Sequence, residues 1–319
     1  MIIALGCIYG IAMLLFTIAF LTDWFKLRKQ IRPYLKYGVW FGAIVIGLDL
    51  FIVAITPSSW NSNLLIGLVA EPIVLIRVIG FTMLGMYYSA TIGYPSFPIL
   101  LRKFKVKHAE NSISTNTTDN STHISTEENG NLKQTEISSD FPAQAESIHQ
   151  TESLPLSDVL LEIKWTDYFI KVFGVSIIGI LYSVALFLLT TPHLSEAVQQ
   201  KFAVSSITPQ NAATFQNILL VLEIAIAEEI IFRLGIQSLL AKYLQSQNKG
   251  YWLAILITSV LWTLGHAGTL EPEWVKLVQI FPMGLMLGWL FKKYGIESTI
   301  LVHGLFNVVL VFLSAYLIK

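Results

Sequence analysis

The sequence predicts an all-α polytopic membrane protein, with about eight transmembrane helices and a disordered cytoplasmic linker after the third. Two observations predict this fold class. Of the 319 residues, 54% are hydrophobic and only 13% are charged, whereas a soluble globular protein has about 25% charged residues. Apolar stretches of about 20 residues, the length that crosses a bilayer as a helix, also recur along the chain. Together these features exclude a soluble cytosolic enzyme.

The predicted spans follow the apolar stretches in chain order. They are residues 2–21, 37–55, 64–92, 169–190, 215–240, 251–267, 275–291 and 299–318. The third span is unusually long and contains Pro72, so its helix either kinks there or starts there with Glu71 in the first turn. A carboxylate at a helix start is favourable because it faces the positive end of the helix dipole. The sixth and seventh spans are the shortest.

Charge placement predicts the topology and the domain organisation. Lys and Arg concentrate in the segments after the first, third, fifth and seventh spans, which predicts that these segments are cytoplasmic and that both termini are non-cytoplasmic. Residues 108–165 are rich in Ser, Thr, Asn, Gln and Glu, with too few apolar residues to form a core. We therefore predict a three-span N-terminal membrane region at 1–107, a disordered polar linker at 108–165 and a five-span core at 166–319.

Composition also limits the partners. The formal net charge is zero, and no basic patch with interleaved aromatic residues is present, so no nucleic-acid partner is expected. The single cysteine, Cys7, excludes a disulfide framework and a metal cage built from cysteines. The lipid bilayer is the expected environment of this integral, multi-pass chain.

The fifth predicted span carries four ionisable residues, which are Glu223, Glu228, Glu229 and Arg233. Each costs about 2.5 to 3.5 kcal/mol at the centre of an inserted helix, so they must face the bundle interior or water rather than lipid. Glu229 and Arg233 are four residues apart on nearly the same helix face, which predicts an ion pair. Glu228 points elsewhere and is free to act as a general base. The alternative is a packing network that only holds the bundle together.

Two further spans carry residues suited to chemistry. The sixth span ends with Trp262 and His266, and the eighth contains His303 and Asn307 at positions i and i+4. His303 and Asn307 therefore share a helix face and can contact one substrate or one water together. A glycine adjoins each histidine and lets helix backbones approach closely. We expect these polar side chains and Glu228 to converge on one cavity.

Three motifs in this order resemble those of the CPBP family of intramembrane endopeptidases. The family includes type II CAAX prenyl proteases and bacteriocin-processing enzymes, and its members are also known as abortive-infection proteins. Its EExxxR motif appears as Glu228 to Arg233, its FxxxH motif as Trp262 to His266, and its HxxxN motif as His303 to Asn307. Trp262 stands where the family usually has Phe. Each motif alone is weak, but the ordered set on successive apolar helices is specific over residues 215–311.

The resemblance implies an intramembrane endopeptidase that hydrolyses a peptide bond in a membrane-associated protein or peptide, as in CAAX-type or leader-peptide processing. Residues 166–319 would then form the protease core. By motif match, Glu228 and His266 are catalytic, and His303 and Asn307 complete the site. Glu229 and Arg233 support it.

Two chemistries fit these residues. In the first, Glu228 and His266 activate a water directly, while His303 and Asn307 stabilise the tetrahedral intermediate. In the second, Glu228, His266 and His303 bind a divalent metal such as zinc, which lowers the pKa of a bound water. The sequence lacks an HExxH helix, and we favour the metal-free version. Non-proteolytic alternatives are a transporter or proton relay, and a scaffold or immunity protein with a silent core.

Two geometric expectations follow. Asp49 in the second span and Arg77 in the third are expected to form a structural ion pair. Counted from the cytoplasmic ends of upright helices, Glu228, His266 and His303 would lie at depths of about 18, 23 and 11 Å. Convergence therefore requires tilted or offset helices, or a different boundary in the sixth span or near residues 288–295.

Overall fold

The computed structural model describes residues 2–55, 63–92, 165–196, 215–244 and 250–318. The helices are α1 (Ile2–Ile31), α2 (Leu35–Ile55), α3 (Asn63–Thr91), α4 (Trp165–Thr190), α5 (Phe215–Glu229), α6 (Ser238–Leu244), α7 (Gly250–Leu264), α8 (Glu273–Tyr294) and α9 (Ile296–Leu317). A 3-10 turn at Arg32–Tyr34 joins α1 to α2, and a π-helical segment at Ile230–Gln237 joins α5 to α6. Strands β1 (His193–Leu194) and β2 (Leu270–Glu271) form a short antiparallel ribbon.

This architecture confirms an all-α integral membrane protein. Each predicted span lies largely on helical residues, because uninterrupted apolar sequence satisfies its backbone hydrogen bonds within the helix; the sixth departs from this at residues 265–267, which form a turn. Within the described residues, four stretches are long and apolar enough to cross a membrane, namely Ala4–Ile52, Trp165–Thr190, Glu273–Tyr294 and Ile296–Ser314. Helix α7 is also apolar but has only 15 residues, which is about 22 Å of helix against a hydrocarbon core of about 30 Å.

The described helices belong to one compact unit of the chain, which comprises Met1–Ile99 and Glu162–Lys319. The predicted linker lies outside the described residues except at its last position, so its disorder and its cytoplasmic location stay predictions. The orientation of the termini likewise stays a prediction.

Helix α3 corrects one expectation. It begins at Asn63 and continues through Pro72 to Thr91. Glu71 therefore lies inside the helix, and the alternative in which the helix starts there is wrong. The seven residues 64–70, which contain no polar side chain, had already provided enough length for about two further turns before Glu71.

Helices α1 to α3 form part of the same core as the C-terminal helices. Helix α1 packs on α7, α2 on α5, and α3 on the π-helical segment. Two glycines make the last contact close: a Cβ at Gly85 would overlap the carbonyl group of Leu234, and a Cβ at Gly235 would overlap the ring of Phe81. The three N-terminal helices thus form a wall of the bundle that carries the candidate site.

The expected pair of Asp49 and Arg77 is not formed. Arg77 is exposed, Asp49 is half-buried, and no ion pair joins them in the part of the chain that the structure describes. Asp49 instead lies within electrostatic range of Glu223 on α5. The reason is that α2 packs on α5 as well as on α3, so depth along neighbouring helices did not determine which face Asp49 occupies.

The β ribbon fixes the loop that follows α7. His193 pairs with Glu271 and Leu194 with Leu270. The Ser195 amide donates to the Thr269 carbonyl at 3.2 Å, and the Ser195 hydroxyl donates to the Gly268 carbonyl at 2.6 Å. The loop that begins at residue 265 is therefore anchored to the segment after α4.

Candidate active site

Three helical segments bring the candidate residues together. Glu228 and Glu229 are the last two residues of α5, immediately before the π-helical segment. His266 lies two residues after the end of α7, and His303 lies in the third turn of α9. Helix α9 packs directly on α5. Such π-helical segments are rare and are frequent at functional sites.

Helix boundaries leave the predicted depth mismatch in place. Helix α9 begins at Ile296, three residues before the predicted span, and the seven residues from Ile296 to His303 give the same depth of about 11 Å. A single residue, Gly295 with φ of 89°, separates α8 from α9. His266 lies in the turn after α7 rather than on the helix. Both boundary changes fall where the depth argument located them.

Glu228 is the centre of the cluster. The indole N–H of Trp262 donates to Glu228 Oε2 at 2.7 Å. Nε2 of His266 lies 3.7 Å from Glu228 Oε1, and Nε2 of His303 lies 3.9 Å from Glu228 Oε2. The structure thus places these three predicted residues around one carboxylate, at distances that one bound water can bridge.

Glu229 occupies a different environment. Its Oε1 lies 2.9 Å from Nδ1 of His303, and its Oε2 lies 3.6 Å from Nε of Arg233. Both side chains of the Glu229–Arg233 pair are fully buried. His303 therefore links the two glutamates, with Nδ1 held by Glu229 and Nε2 turned toward Glu228.

These contacts determine the histidine tautomers. Because Glu229 is the acceptor at Nδ1 of His303, this nitrogen carries the proton and Nε2 of the neutral ring is an acceptor. Nδ1 of His266 lies 2.9 Å from the Trp262 carbonyl oxygen, so the same assignment holds for His266. Two imidazole acceptors and one carboxylate therefore face the same small volume, an arrangement that can bind and deprotonate a water.

Trp262 has a larger role than its position in the motif suggested. Its ring is 1% exposed and lies edge-on to both imidazoles, with centroid separations of 5.2 Å to His266 and to His303. The guanidinium carbon of Arg233 lies 4.9 Å from the ring centroid on its face. The sequence signal was available, since an indole has an N–H donor that the usual Phe lacks.

Arg233 is held mainly by charge and by stacking. Its three guanidinium nitrogens form no hydrogen bond with the described residues. The Glu229 carboxylate and the Trp262 ring therefore compensate the buried cation.

Lys276 is a second residue that sequence reasoning did not assign to the site. It lies in the first turn of α8, and its ammonium group donates to Gln279 Oε1 at 3.2 Å. It is close enough to interact electrostatically with both Glu228 and His266. In the sequence, a lysine at the start of a predicted span indicates membrane topology. For that reason the position of Lys276 near Glu228 and His266 was not predicted.

Asn307 is not joined to the cluster. It lies one turn beyond His303 on α9, is half-buried and forms no hydrogen bond with other described residues. Its predicted role in completing the site stays a prediction.

Exposure is graded across the site. The side chains of Glu228 and His266 are 23% and 24% exposed, whereas His303 is 3% exposed. A substrate can therefore reach the Glu228–His266 edge, while the groups behind it are fixed by packing.

The chemistry of Glu228, His266 and His303 matches a His2Glu zinc site. However, the described residues contain no group of three or more His, Cys, Asp and Glu side chains placed to hold a metal ion.

Comparison with known proteins gives a consistent result for the C-terminal part. Residues 209–309 match the family model described as type II CAAX prenyl endopeptidase Rce1-like. The sporulation-killing factor biosynthesis protein SkfC of Bacillus subtilis (strain 168) is 29% identical over 105 residues, which are 33% of this chain and 20% of SkfC. The chain thus spans about a fifth of the length of that curated relative. No solved structure matches. The matched range contains all three motifs, and the predicted resemblance is confirmed.

Proposed function

We propose that this chain, whose residues 209–309 match a type II CAAX prenyl endopeptidase family model, is an endopeptidase that cleaves a membrane-associated protein or peptide. The family resemblance suggests CAAX-type or leader-peptide processing as its reaction. The observation that carries this proposal is the Glu228 carboxylate, which is oriented by Trp262, faced by two imidazole Nε2 atoms and exposed on one edge.

Water activation is assigned to Glu228 and His266. A water bound between Glu228 Oε1 and His266 Nε2 transfers a proton to the carboxylate as its oxygen attacks the scissile carbonyl carbon. Collapse of the tetrahedral intermediate breaks the C–N bond, and the same proton passes from Glu228 to the leaving nitrogen. The immediate products are a new carboxylic acid and a new amine, with the carboxylate of Glu228 regenerated, and transfer of the acid's proton to the amine gives the final carboxylate and ammonium.

His303 and Glu229 support this cycle. If His303 accepts a proton on Nε2, Glu229 stabilises the imidazolium through Nδ1–H, and Nε2–H becomes a donor to the developing negative charge. Because Glu229 is fully buried and anchored by Arg233, this donor needs little reorganisation during the reaction. Asn307 is proposed to contact the substrate from the next turn of α9.

The test compares wild type with two matched glutamate variants on α5. Glu228→Gln removes the proposed base, while Glu223→Gln removes a carboxylate of the same helix outside the cluster. The proteins are reconstituted in lipid nanodiscs with an internally quenched, farnesylated CAAX peptide. New N-termini are also mapped in membranes of cells that express each form. Wild type and Glu223→Gln should cleave, and Glu228→Gln should lose activity on the order of a hundredfold or more.

The outcomes separate the alternatives. If no form produces new N-termini or cleaves the peptide, the proposal is wrong and a transporter or silent scaffold becomes the better account. Equal cleavage by wild type and Glu228→Gln would show that Glu228 is not the general base. Dialysis against a strong chelator should leave wild-type cleavage unchanged, and a loss that zinc restores would favour the metal version.

A further inference from the structure

The N-terminal helix α1 reaches the candidate site through Tyr9. Helix α1 packs on α7, and the Tyr9 ring lies against Gly265, the residue before His266. A Cβ at Gly265 would lie 3.3 Å from Cε2 and 3.3 Å from Cζ of Tyr9. Cζ carries the hydroxyl group, so the polar end of this side chain lies beside the backbone that positions His266. Tyr9 lies outside the range matched by the protease family model, which begins at residue 209, whereas Gly265 lies within it.

The Tyr9 hydroxyl forms no hydrogen bond with the described residues. The side chain is half-buried and packs against the hydrophobic core. Its hydroxyl is close enough to the Glu228 carboxylate to interact electrostatically. A tyrosine hydroxyl that is drawn into an apolar bundle normally finds a hydrogen-bond partner. This donor, which lies against Gly265 and forms no hydrogen bond with the described residues, is therefore available to a ligand.

The other ring N–H donors of the site are engaged. Trp262 donates to Glu228, Nδ1 of His266 faces the Trp262 carbonyl, and Nδ1 of His303 is held by Glu229. Hydrolysis needs a donor where negative charge develops on the carbonyl oxygen. The Tyr9 hydroxyl is a donor that these contacts leave available, as are the half-buried amide of Asn307 and the proposed Nε2–H of His303.

We infer, on the basis of the proposed endopeptidase function, that Tyr9 is a catalytic residue which donates a hydrogen bond to the carbonyl oxygen of the scissile peptide. The bond strengthens as this oxygen becomes the oxyanion of the tetrahedral intermediate. The N-terminal helices would then complete the active site of the C-terminal core rather than only pack beside it. Proton transfer remains with Glu228.

The test is Tyr9→Phe in full-length protein in nanodiscs, with the farnesylated, internally quenched CAAX peptide as the probe. The variant keeps the ring on Gly265 and removes only the hydroxyl. Because an oxyanion donor acts in the transition state, kcat should fall about 100- to 1,000-fold while KM changes little. Thermal stability should equal that of wild type. Tyr316→Phe, which removes a hydroxyl from a side chain that is 85% exposed, is the matched control and should keep wild-type kcat.

A second variant tests the placement of the hydroxyl. Gly265→Ala adds a methyl group against the Tyr9 ring and should lower kcat in wild type but much less in a Tyr9→Phe background. Equal kcat for Tyr9→Phe and wild type would overturn the inference and leave the proposed function intact. A rise in KM with unchanged kcat would also overturn it, because it would indicate a binding contact only. If wild type cleaves no peptide, the proposed function fails and this inference fails with it.

Discussion

At the scale of single residues, the adjacent glutamates Glu228 and Glu229 lie in different environments. Glu228 is 23% exposed and receives a hydrogen bond from Trp262, whereas Glu229 is fully buried between His303 and Arg233. An exposed edge allows proton exchange with a water, while a buried carboxylate with a cationic partner stays ionised and rigid. The difference in environment therefore supports the proposal that Glu228 carries the chemistry and Glu229 supports it.

Substitution of each glutamate by glutamine should separate these roles. Glu229→Gln leaves the buried guanidinium of Arg233 uncompensated, which should cost about 3 to 5 kcal/mol and lower both protein yield and activity. Glu228→Gln should leave a folded protein whose cleavage is reduced on the order of a hundredfold. Thermal unfolding in detergent, measured beside peptide cleavage, checks both. The role assignment is wrong if Glu228→Gln destabilises the protein while Glu229→Gln does not.

At the scale of elements, polar contacts lock the N-terminal helices onto the core. Asp23 on α1 is 8% exposed and accepts hydrogen bonds from the Tyr88 hydroxyl of α3 at 2.6 Å and the Tyr243 hydroxyl of α6 at 3.0 Å. The Lys242 ammonium lies 4.5 Å from the Tyr88 ring centroid. The Asp23 carboxylate thus joins α1, α3 and α6. Helix α6 directly follows the π-helical segment that begins after Glu229.

The two tyrosines of this junction should differ in their contribution to stability. Tyr88 is fully buried, whereas Tyr243 is 60% exposed. Tyr88→Phe removes a buried, charge-assisted hydrogen bond and should lower the free energy of unfolding by about 1.5 to 3 kcal/mol. Tyr243→Phe should cost less than about 1 kcal/mol, because water replaces its donor. Urea or thermal unfolding in detergent measures both variants, and a larger loss for Tyr243→Phe would contradict this account of the junction.

At the scale of the whole molecule, hydropathy predicted where the chain is helical but not which faces of the helices contact one another. Each predicted span lies largely on helical residues, because a helix satisfies its backbone hydrogen bonds locally in lipid. Rotation about each helix axis depends on all neighbours at once. For that reason the predicted pairing of Asp49 with Arg77 was wrong.

The sequence likewise predicted part of the candidate site, namely its residues but not all of their contacts. Motif spacing identified Glu228, His266 and His303, and their shared cost in hydrocarbon gave a reason for them to meet. The bond from Glu229 to His303 was not predicted, because an α-helical wheel assigns Glu229 only its neighbour at i+4, and long-range partners depend on tertiary packing. The position of Tyr9 beside Gly265 was not predicted either, since the motifs lie wholly in the C-terminal part and contain no signal for α1.

The central claim is that the Glu228 site adds water across a peptide bond within the membrane. The direct measurement is mass spectrometry of the cleavage products. The reaction is a single turnover of wild type in nanodiscs with the farnesylated CAAX peptide, in water labelled with the heavy isotope oxygen-18. The account predicts one heavy oxygen in the new C-terminal carboxylate of the product, and no product from Glu228→Gln. A labelled product from Glu228→Gln at the wild-type rate, or no cleavage by the wild type, would contradict it.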